Sequence, residues 1–293
     1  MRPTVLVACD SATGDRSPTA FARTIAALLG ARVTLVSVRE SDGLAGTEAD
    51  DAPAAIGAGW RVERASSPAA GLQRLIAGER PLLTVLGSAH DAGFGRMRVG
   101  GTAERVLHGA ARAVAVVPQG HGERALGAIG VGLLPTPDSL RALRAAAWLA
   151  RAARVPLLVI TVLRRSPDAA GAAVLAARLS PATAAETRGP AAAVLREAIV
   201  AAALESGDGA QEFGRDPAPG PLVVEPLILV GDPADALLRA TGRLGLLVLG
   251  SRAYGPPGVV LPGGAARRVL AGARCPVLLV PRAERSVPIG VPA

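Results

Sequence analysis

The chain has 293 residues, enough for two domains of ordinary size that each bury a core, and half of its residues are hydrophobic although only 2% are aromatic. Its core must therefore consist mainly of alanine, valine and leucine. The basic side chains behind the net charge of +8 are all arginine, and they are scattered singly or in pairs such as Arg164 and Arg165. Specific nucleic-acid binding is excluded, because it requires basic runs and stacking aromatics.

A membrane span is also excluded, since no apolar run approaches the ~18–20 residues that it needs. The first residues leave no room for a secretory signal before Cys9, so we expect a cytoplasmic protein. Cys9 and Cys275 lie far apart in the chain and form no disulfide framework.

The first half of the chain alternates apolar strands with helices. A serine and a proline open its first helix as cap residue and first-turn proline, and a glycine ends it. The predicted strands are Thr4–Cys9, Val33–Val38, Trp60–Arg64, Leu82–Leu86 and Val114–Val117, and the predicted helices are Ser17–Leu29, Ala69–Ala77 and Thr102–Ala110.

The second half repeats this order, which predicts parallel sheets with helices on both faces. Asp232 is placed to cap one helix and Pro233 to occupy its first position. The predicted strands are Ala128–Leu133, Pro156–Val162, Leu222–Leu229, Leu244–Leu249 and Val277–Leu279, with helices beginning at Asp138, Pro233 and Ala265.

Repeated motifs indicate an internal duplication. The Val-Leu-Gly-Ser segment that contains Gly87 recurs around Gly250, and a Gly-Gly pair recurs from Gly100 to Gly263, both at an offset of 163 residues (250−87, 263−100). The first strands of the two halves match at an offset of 124 instead. The second copy therefore carries about 39 extra residues (163−124).

These extra residues predict an insertion at 164–221, with Ala-rich helices over 169–179 and 191–204 and a loop over 206–221. The predicted domains are 1–122 and 126–282, followed by a tail at 283–293.

Each copy carries a glycine-rich loop between a buried strand and a helix. In an open parallel sheet, ligands bind beyond the carboxyl ends of the strands, where the strand order reverses. Backbone amides and a helix dipole at such a loop can hold a phosphate group. Alternatively, each loop merely connects a strand to a helix.

The loop, the Gly-Gly pair, the closing strand with its proline and the duplication together resemble the universal stress protein family, over essentially the whole chain. The resemblance implies an α/β fold of two doubly wound, five-stranded parallel sheets, similar to the adenine nucleotide alpha hydrolases and packed as a pseudo-dimer. Such proteins pair through their last strands. We therefore expect Val114–Val117 and Val277–Val280 to lie together and bury exposed sheet edges.

Nucleotide-binding members of that family carry the motif glycine, two residues, glycine, nine residues, glycine and a hydroxyl residue, with an aspartate after the first strand. In the first half, His90 replaces the second glycine, where its side chain should crowd the backbone, and Gly101 replaces the hydroxyl residue. That hydroxyl would also cap the next helix together with Glu104. The resemblance implies an ATP or other adenine-nucleotide site at Asp10, Val38, Gly87, Ser88, His90, Gly100, Gly101 and Thr102.

The second half departs further from the motif, and a degenerate site is implied there. Leu134 stands at the aspartate position, Ala253 replaces the second glycine and Arg267 replaces the glutamate. The corresponding residues are Val162, Gly250, Ser251, Gly263 and Gly264.

Other chemistry is not indicated by the sequence. His90, His108 and His121 lack the paired spacing of zinc ligands, and no catalytic residue is predicted. We expect a non-catalytic regulatory or stress-response protein that binds an adenine nucleotide weakly in its first half. The alternatives are an interaction scaffold with two decayed sites and an ATP-hydrolysing enzyme. We expect an unidentified protein as the partner. The sequence leaves open whether the pseudo-dimer assembles into a higher oligomer.

Overall fold

The structure is a computed structural model that describes residues 3–9, 14–40, 59–134, 136–163, 213, 221–251 and 258–282. Asp10, the tail and almost all of the predicted insertion lie outside these residues. The first half contains β1 (Thr4–Ala8), α1 (Ser17–Leu29), β2 (Arg32–Glu40), β3 (Gly59–Ala65), α2 (Pro68–Glu79), β4 (Leu83–Gly87), α3 (Gly101–Leu107) and β5 (Ala113–Val117). The second half contains β6 (Ile129–Gly132), α4 (Pro137–Ala153), β7 (Leu157–Leu163), β8 (Val224–Val230), α5 (Pro233–Ala240), a 3-10 turn (Thr241–Arg243), β9 (Leu246–Gly250), α6 (Gly264–Leu270) and β10 (Val277–Val280).

The predicted elements within these residues are present, with ends shifted by a few positions. Helix α3 ends at Leu107, earlier than predicted, because Gly109 has a φ of +117° that a helix does not allow. At the start of α1, Ser17 is the first helical residue and not the predicted cap. Asp15 supports this end instead, since its Oδ1 accepts hydrogen bonds from the Ser17 amide (2.9 Å) and hydroxyl (2.5 Å).

Asp232 caps α5 as predicted. Its Oδ1 accepts hydrogen bonds from the amides of Ala234 (2.9 Å) and Asp235 (3.1 Å), and Pro233 occupies the first turn. The same carboxylate also lies 2.8 Å from the guanidinium of Arg268 on α6, so the cap joins two neighbouring helices.

The ten strands form one sheet in the order β3-β2-β1-β4-β5-β10-β9-β6-β7-β8. Within each half all strand pairs are parallel, and the strand order reverses beside β1 in the first half and beside β6 in the second. Each half contributes five parallel strands in a doubly wound order, as predicted, and the halves join edge to edge into one ten-stranded sheet.

The halves join through their last strands, as predicted. Strands β5 and β10 are antiparallel, and Ala115 pairs with Leu278, its counterpart at the offset of 163. This central pair marks an approximate two-fold axis between the halves. Both strands are fully buried along their length, so each covers the edge of the other.

Main-chain hydrogen bonds repeat the duplication outside the strands. Cys9 N donates to Val36 O and Leu133 N donates to Ile160 O, both over 2.8 Å and both shifted by 124 residues (133−9, 160−36). The two bonds place the residue directly after the first strand of each half in the same way. Equivalent backbone positions in the two halves can therefore be compared directly.

Two layers of buried side chains lie on opposite faces of the sheet. One layer packs under α1 and α4, and the other packs under α2, α3, α5 and α6. Alanine, valine and leucine dominate both layers, in agreement with the composition. Each layer contains residues from both halves, which makes the seam between the halves part of the core. Phe213 belongs to the first layer and contacts Trp148 of α4, with ring centroids 5.2 Å apart.

Candidate functional site

A cavity of about 470 Å³ opens in the first half at the carboxyl ends of β1, β2 and β4. It lies where the strand order reverses, and the first turns of α1, α2 and α3 surround it. The residues of the predicted site that line it are Val38, Gly87, Ser88, His90, Gly100, Gly101 and Thr102. The fold thus brings these seven positions to one place, while Asp10 lies outside the described residues.

The cavity is lined by apolar and polar groups in similar proportion. Val36 and Leu72 contribute to the apolar surface, and Asp15, Arg39 and Cys9 contribute the main polar side chains outside the glycine loop. Sequence reasoning missed these residues. The position of Arg39, directly after Val38 near the carboxyl end of a strand, is the signal that could have identified it.

Gly87 and Gly250 both lie where a helix approaches the end of a strand. A β-carbon on Gly87 would lie 3.1 Å from Pro18 Cγ at the start of α1. On Gly250 it would lie 2.8 Å from the carbonyl oxygen of Asp138 in the first turn of α4. These glycines of the motif therefore allow a helix to approach the end of a strand, independently of any ligand.

Gly101 has a different environment. No heavy atom lies within 4 Å of the position that a β-carbon on Gly101 would take, and its backbone borders the cavity. Gly100 is the N-cap of α3, so Gly101 is already the first helical residue. The motif places the helix cap at position 101, which is one residue after the observed N-cap. No side chain caps α3. The first amides of the helix lack intrahelical partners and border the cavity.

Ser88 and Ser251 hold their loops together. Ser88 Oγ donates to Val117 O (3.0 Å) and accepts from the Arg98 amide (3.4 Å). Ser251 Oγ accepts from the Leu261 amide over 2.7 Å. Both hydroxyls are thus hydrogen-bonded to main-chain groups, the one of Ser88 also to strand β5, a role that the sequence did not reveal.

His90 does not crowd the backbone, and that expectation is wrong. Among the described residues other than glycine, only Arg80 and Arg154 have a positive φ, so position 90 does not require glycine. The side chain of His90 is exposed at the rim of the cavity. Ala253 lies outside the described residues.

The corresponding region of the second half begins with a longer helix. Helix α4 starts at Pro137, whereas the offset of 124 places the counterpart of Ser17 at Arg141 (17+124), so α4 gains about one turn. This additional turn contains Asp138, which lies against Gly250. In the second half, a helical turn therefore lies where the first half has the residues that precede Ser17.

Charged side chains are replaced by leucines in the same region. Leu134 and Leu163 correspond to Asp10 and Arg39 (10+124 and 39+124), and their exposed fractions are 57% and 37%. The predicted residues lie on β7 (Val162), at the end of β9 (Gly250), directly after it (Ser251), at the N-cap of α6 (Gly263) and at its first residue (Gly264). Residues 252–257 of this loop lie outside the described part of the chain.

Burial shifts the pKa of two ionisable groups of the first half toward their neutral forms. Burial raises the pKa of the Cys9 thiol, although hydrogen bonds with Thr19 and the backbone of Val36 act in the opposite direction. Burial and the nearby Arg124 lower the pKa of His121 to about 4. The uncharged imidazole of His121 packs against Phe21 of α1, with ring centroids 6.0 Å apart.

Within the described ranges, no three histidine, cysteine or acidic side chains cluster so as to hold a metal ion.

His108 lies just beyond the end of α3 and not inside it. Its Nδ1 is 2.7 Å from Glu104 O, and its Nε2 is 2.5 Å from the Arg267 guanidinium of the other half. His108 therefore contributes to the contact between the halves and lies outside the cavity.

Among the described residues, no helix is both long and apolar enough to span a membrane.

The comparisons with known proteins agree with this fold. The model of the universal stress protein family matches residues 127–281, which is more than half of the chain. The protein therefore belongs to the universal stress protein family. No curated protein matches the chain.

Solved structures match the fold over nearly the whole chain. A universal stress protein from Archaeoglobus fulgidus DSM 4304 has 17% identity and a TM-score of 0.63, with 96% of this chain and 98% of that chain covered. A functionally unknown protein from Pseudomonas aeruginosa PAO1 has 16% identity and a TM-score of 0.61, with 97% and 93% covered. A putative universal stress protein from Pseudomonas aeruginosa UCBPP-PA14 has 17% identity and a TM-score of 0.59, with 95% and 93% covered.

Proposed function

We propose that this protein is a stress-response regulator whose first half reversibly binds an adenine nucleotide without turning it over. Membership of the universal stress protein family supports a role in stress response. The observation that carries the nucleotide proposal is the cavity at the switch point of the first half, lined by seven of the eight residues that the family resemblance had implied.

The cavity suits a ligand with an apolar ring and an anionic group. Its volume of about 470 Å³ lies within the range of ~300–1,000 Å³ of small-molecule sites. Val36, Val38 and Leu72 would hold the base on apolar surface. The phosphates would meet the Arg39 guanidinium and the first amides of α3.

Binding should be weak. Gly101 brings no hydroxyl to the start of α3, and a ligand group left without its hydrogen bond costs about 1–3 kcal/mol. We expect a Kd between about 100 μM and 1 mM, equivalent to roughly −5.5 to −4 kcal/mol.

The absence of turnover is supported by the state of two ionisable groups in the cavity. The Asp15 carboxylate already accepts two hydrogen bonds from Ser17, and the raised pKa of Cys9 keeps its thiol protonated near neutral pH. Neither group is arranged as a base or nucleophile for phosphoryl transfer.

Calorimetric titration with ATP and AMP tests the proposal, with phosphate release measured in parallel. Gly101→Leu would place a side chain at the cavity, and Gly264→Leu is its matched control at the same offset (101+163) in the second half. A β-carbon on either glycine would have no heavy atom within 4 Å, so both variants should fold.

We expect Gly101→Leu to abolish binding and Gly264→Leu to leave it unchanged. Equal loss in both variants would refute the assigned site. No binding by the wild type would favour the interaction scaffold, and phosphate release at a rate abolished by Gly101→Leu would favour the enzyme.

A further inference from the structure

The loop between β4 and α3 belongs both to the cavity and to the seam between the halves. Its two ends line the cavity, through Ser88 to His90 and through Gly100. Its middle crosses to the second half, where the Met97 amide donates a hydrogen bond of 2.8 Å to Ala273 O.

The Met97 side chain is buried at this crossing. Only 1% of its surface is exposed, and it belongs to the same core layer as Ala110 of its own half and Ala273 of the other half. Because a buried side chain in a close-packed core has little freedom, this contact fixes the middle of the loop relative to the second half.

The fixed part of the loop is connected to the cavity by two hydrogen bonds. Arg98, the residue after Met97, accepts a bond from the Ala89 amide over 2.8 Å and donates its own amide to Ser88 Oγ over 3.4 Å. Ser88 and Ala89 both line the cavity. A displacement of Met97 would therefore move the cavity wall.

The second half contains the same crossing. Val260, the counterpart of Met97 at the offset of 163, is fully buried, and its amide donates to Ala110 O over 2.8 Å. The two crossings are related by the approximate two-fold axis. Val260 thus provides a matched control for Met97.

We infer that Met97 is a positioning residue for the nucleotide site, through which the second half holds the glycine loop of the first half in its binding conformation. This inference rests on the proposed function, since it concerns affinity for the same ligand. The second half, which carries leucines at its own ligand positions, then contributes to binding as the support of the first.

The test compares Met97→Ala with Val260→Ala in the full chain, by calorimetry with ATP, thermal unfolding and hydrogen exchange. Both substitutions remove buried atoms at the seam and should lower the Tm. Only Met97→Ala should weaken ATP binding, by about tenfold, a typical size for coupling between sites. Met97→Leu conserves the apolar volume and should restore the affinity.

Hydrogen exchange gives a readout that needs no ligand. Amide exchange in residues 88–100 should become faster in Met97→Ala than in Val260→Ala, and ATP should slow exchange of the wild-type Met97 amide, whose acceptor belongs to the other half. If Met97→Ala does not fold, Met97→Val provides a smaller truncation for the same comparison.

Equal ATP affinities and equal loop exchange in the two alanine variants would overturn the inference and leave the proposed function intact. Absence of ATP binding by the wild type would instead refute the proposed function. In that case the exchange comparison would still decide whether Met97 positions the loop.

Discussion

Replacing Gly250 by alanine should destabilise the protein more than replacing Gly87, although both glycines occupy the same position of the motif. A β-carbon on Gly250 would lie 2.8 Å from the carbonyl oxygen and 3.1 Å from the carbonyl carbon of Asp138. These are backbone atoms of the first turn of α4, so the helix itself would have to shift. A β-carbon on Gly87 would meet only the ring of Pro18, whose Cγ would lie at 3.1 Å, and a small change of the ring suffices there.

The expected magnitude is the difference between two opposing effects. Insertion of an atom into a packed site costs about 1–3 kcal/mol, while alanine at a compatible backbone conformation stabilises by about 0.4–1 kcal/mol through the unfolded chain. Neither glycine has a positive φ, so the second effect applies to both. We expect Gly250→Ala to lose about 1–2 kcal/mol and Gly87→Ala to stay within about 0.5 kcal/mol of the wild type.

Thermal and urea unfolding of the two variants measures this difference. A loss of about 1–2 kcal/mol should lower the Tm by roughly 2–8 °C, judged from proteins of about 150–250 residues. Wild-type stability of Gly250→Ala, or a larger loss in Gly87→Ala, would refute the reasoning that helix approach makes the motif glycine necessary. Unchanged slopes in urea would show that the variants differ in stability alone.

Three further predictions concern ionisable groups. Asp10→Leu should weaken ATP binding about tenfold to hundredfold by calorimetry, and unchanged affinity would remove Asp10 from the site. His121 has a folded pKa of about 4, below the unfolded value of 6.5. Its unfolded state therefore takes up a proton first, and stability should fall as the pH decreases from about 6.5 to 4. His121→Gln should flatten urea midpoints across that range, and a dependence unchanged by the substitution would contradict the assignment. Burial raises the pKa of Cys275 to about 12, so native Cys275 should resist a maleimide at neutral pH and react after unfolding, as mass spectrometry can follow. Rapid labelling of the native protein would contradict its burial.

The sequence by itself determined the repeated architecture. Strands β1–β10 and helices α1–α6 could be predicted because apolar runs, caps and glycine stops are local signals, whereas the 3-10 turn at Thr241–Arg243 was not. The pairing of β5 with β10 was implied by the resemblance to the universal stress protein family, and it buries the exposed edge of each five-stranded half. Seven of the eight predicted residues of the first-half site meet in one cavity because parallel strands bring their carboxyl ends to the same edge.

Only the tertiary structure decided what individual residues at the site do. The motif could not show that a side chain at Gly250 would meet the backbone of Asp138, which is distant in the chain. It also could not show that the hydroxyls of Ser88 and Ser251 are hydrogen-bonded to main-chain groups of the protein. Likewise, nothing in the spacing indicated that Met97 crosses to Ala273 of the other half. Repeats and periodicity specify which elements form and in what order, whereas close approaches between distant segments depend on how those elements pack in three dimensions.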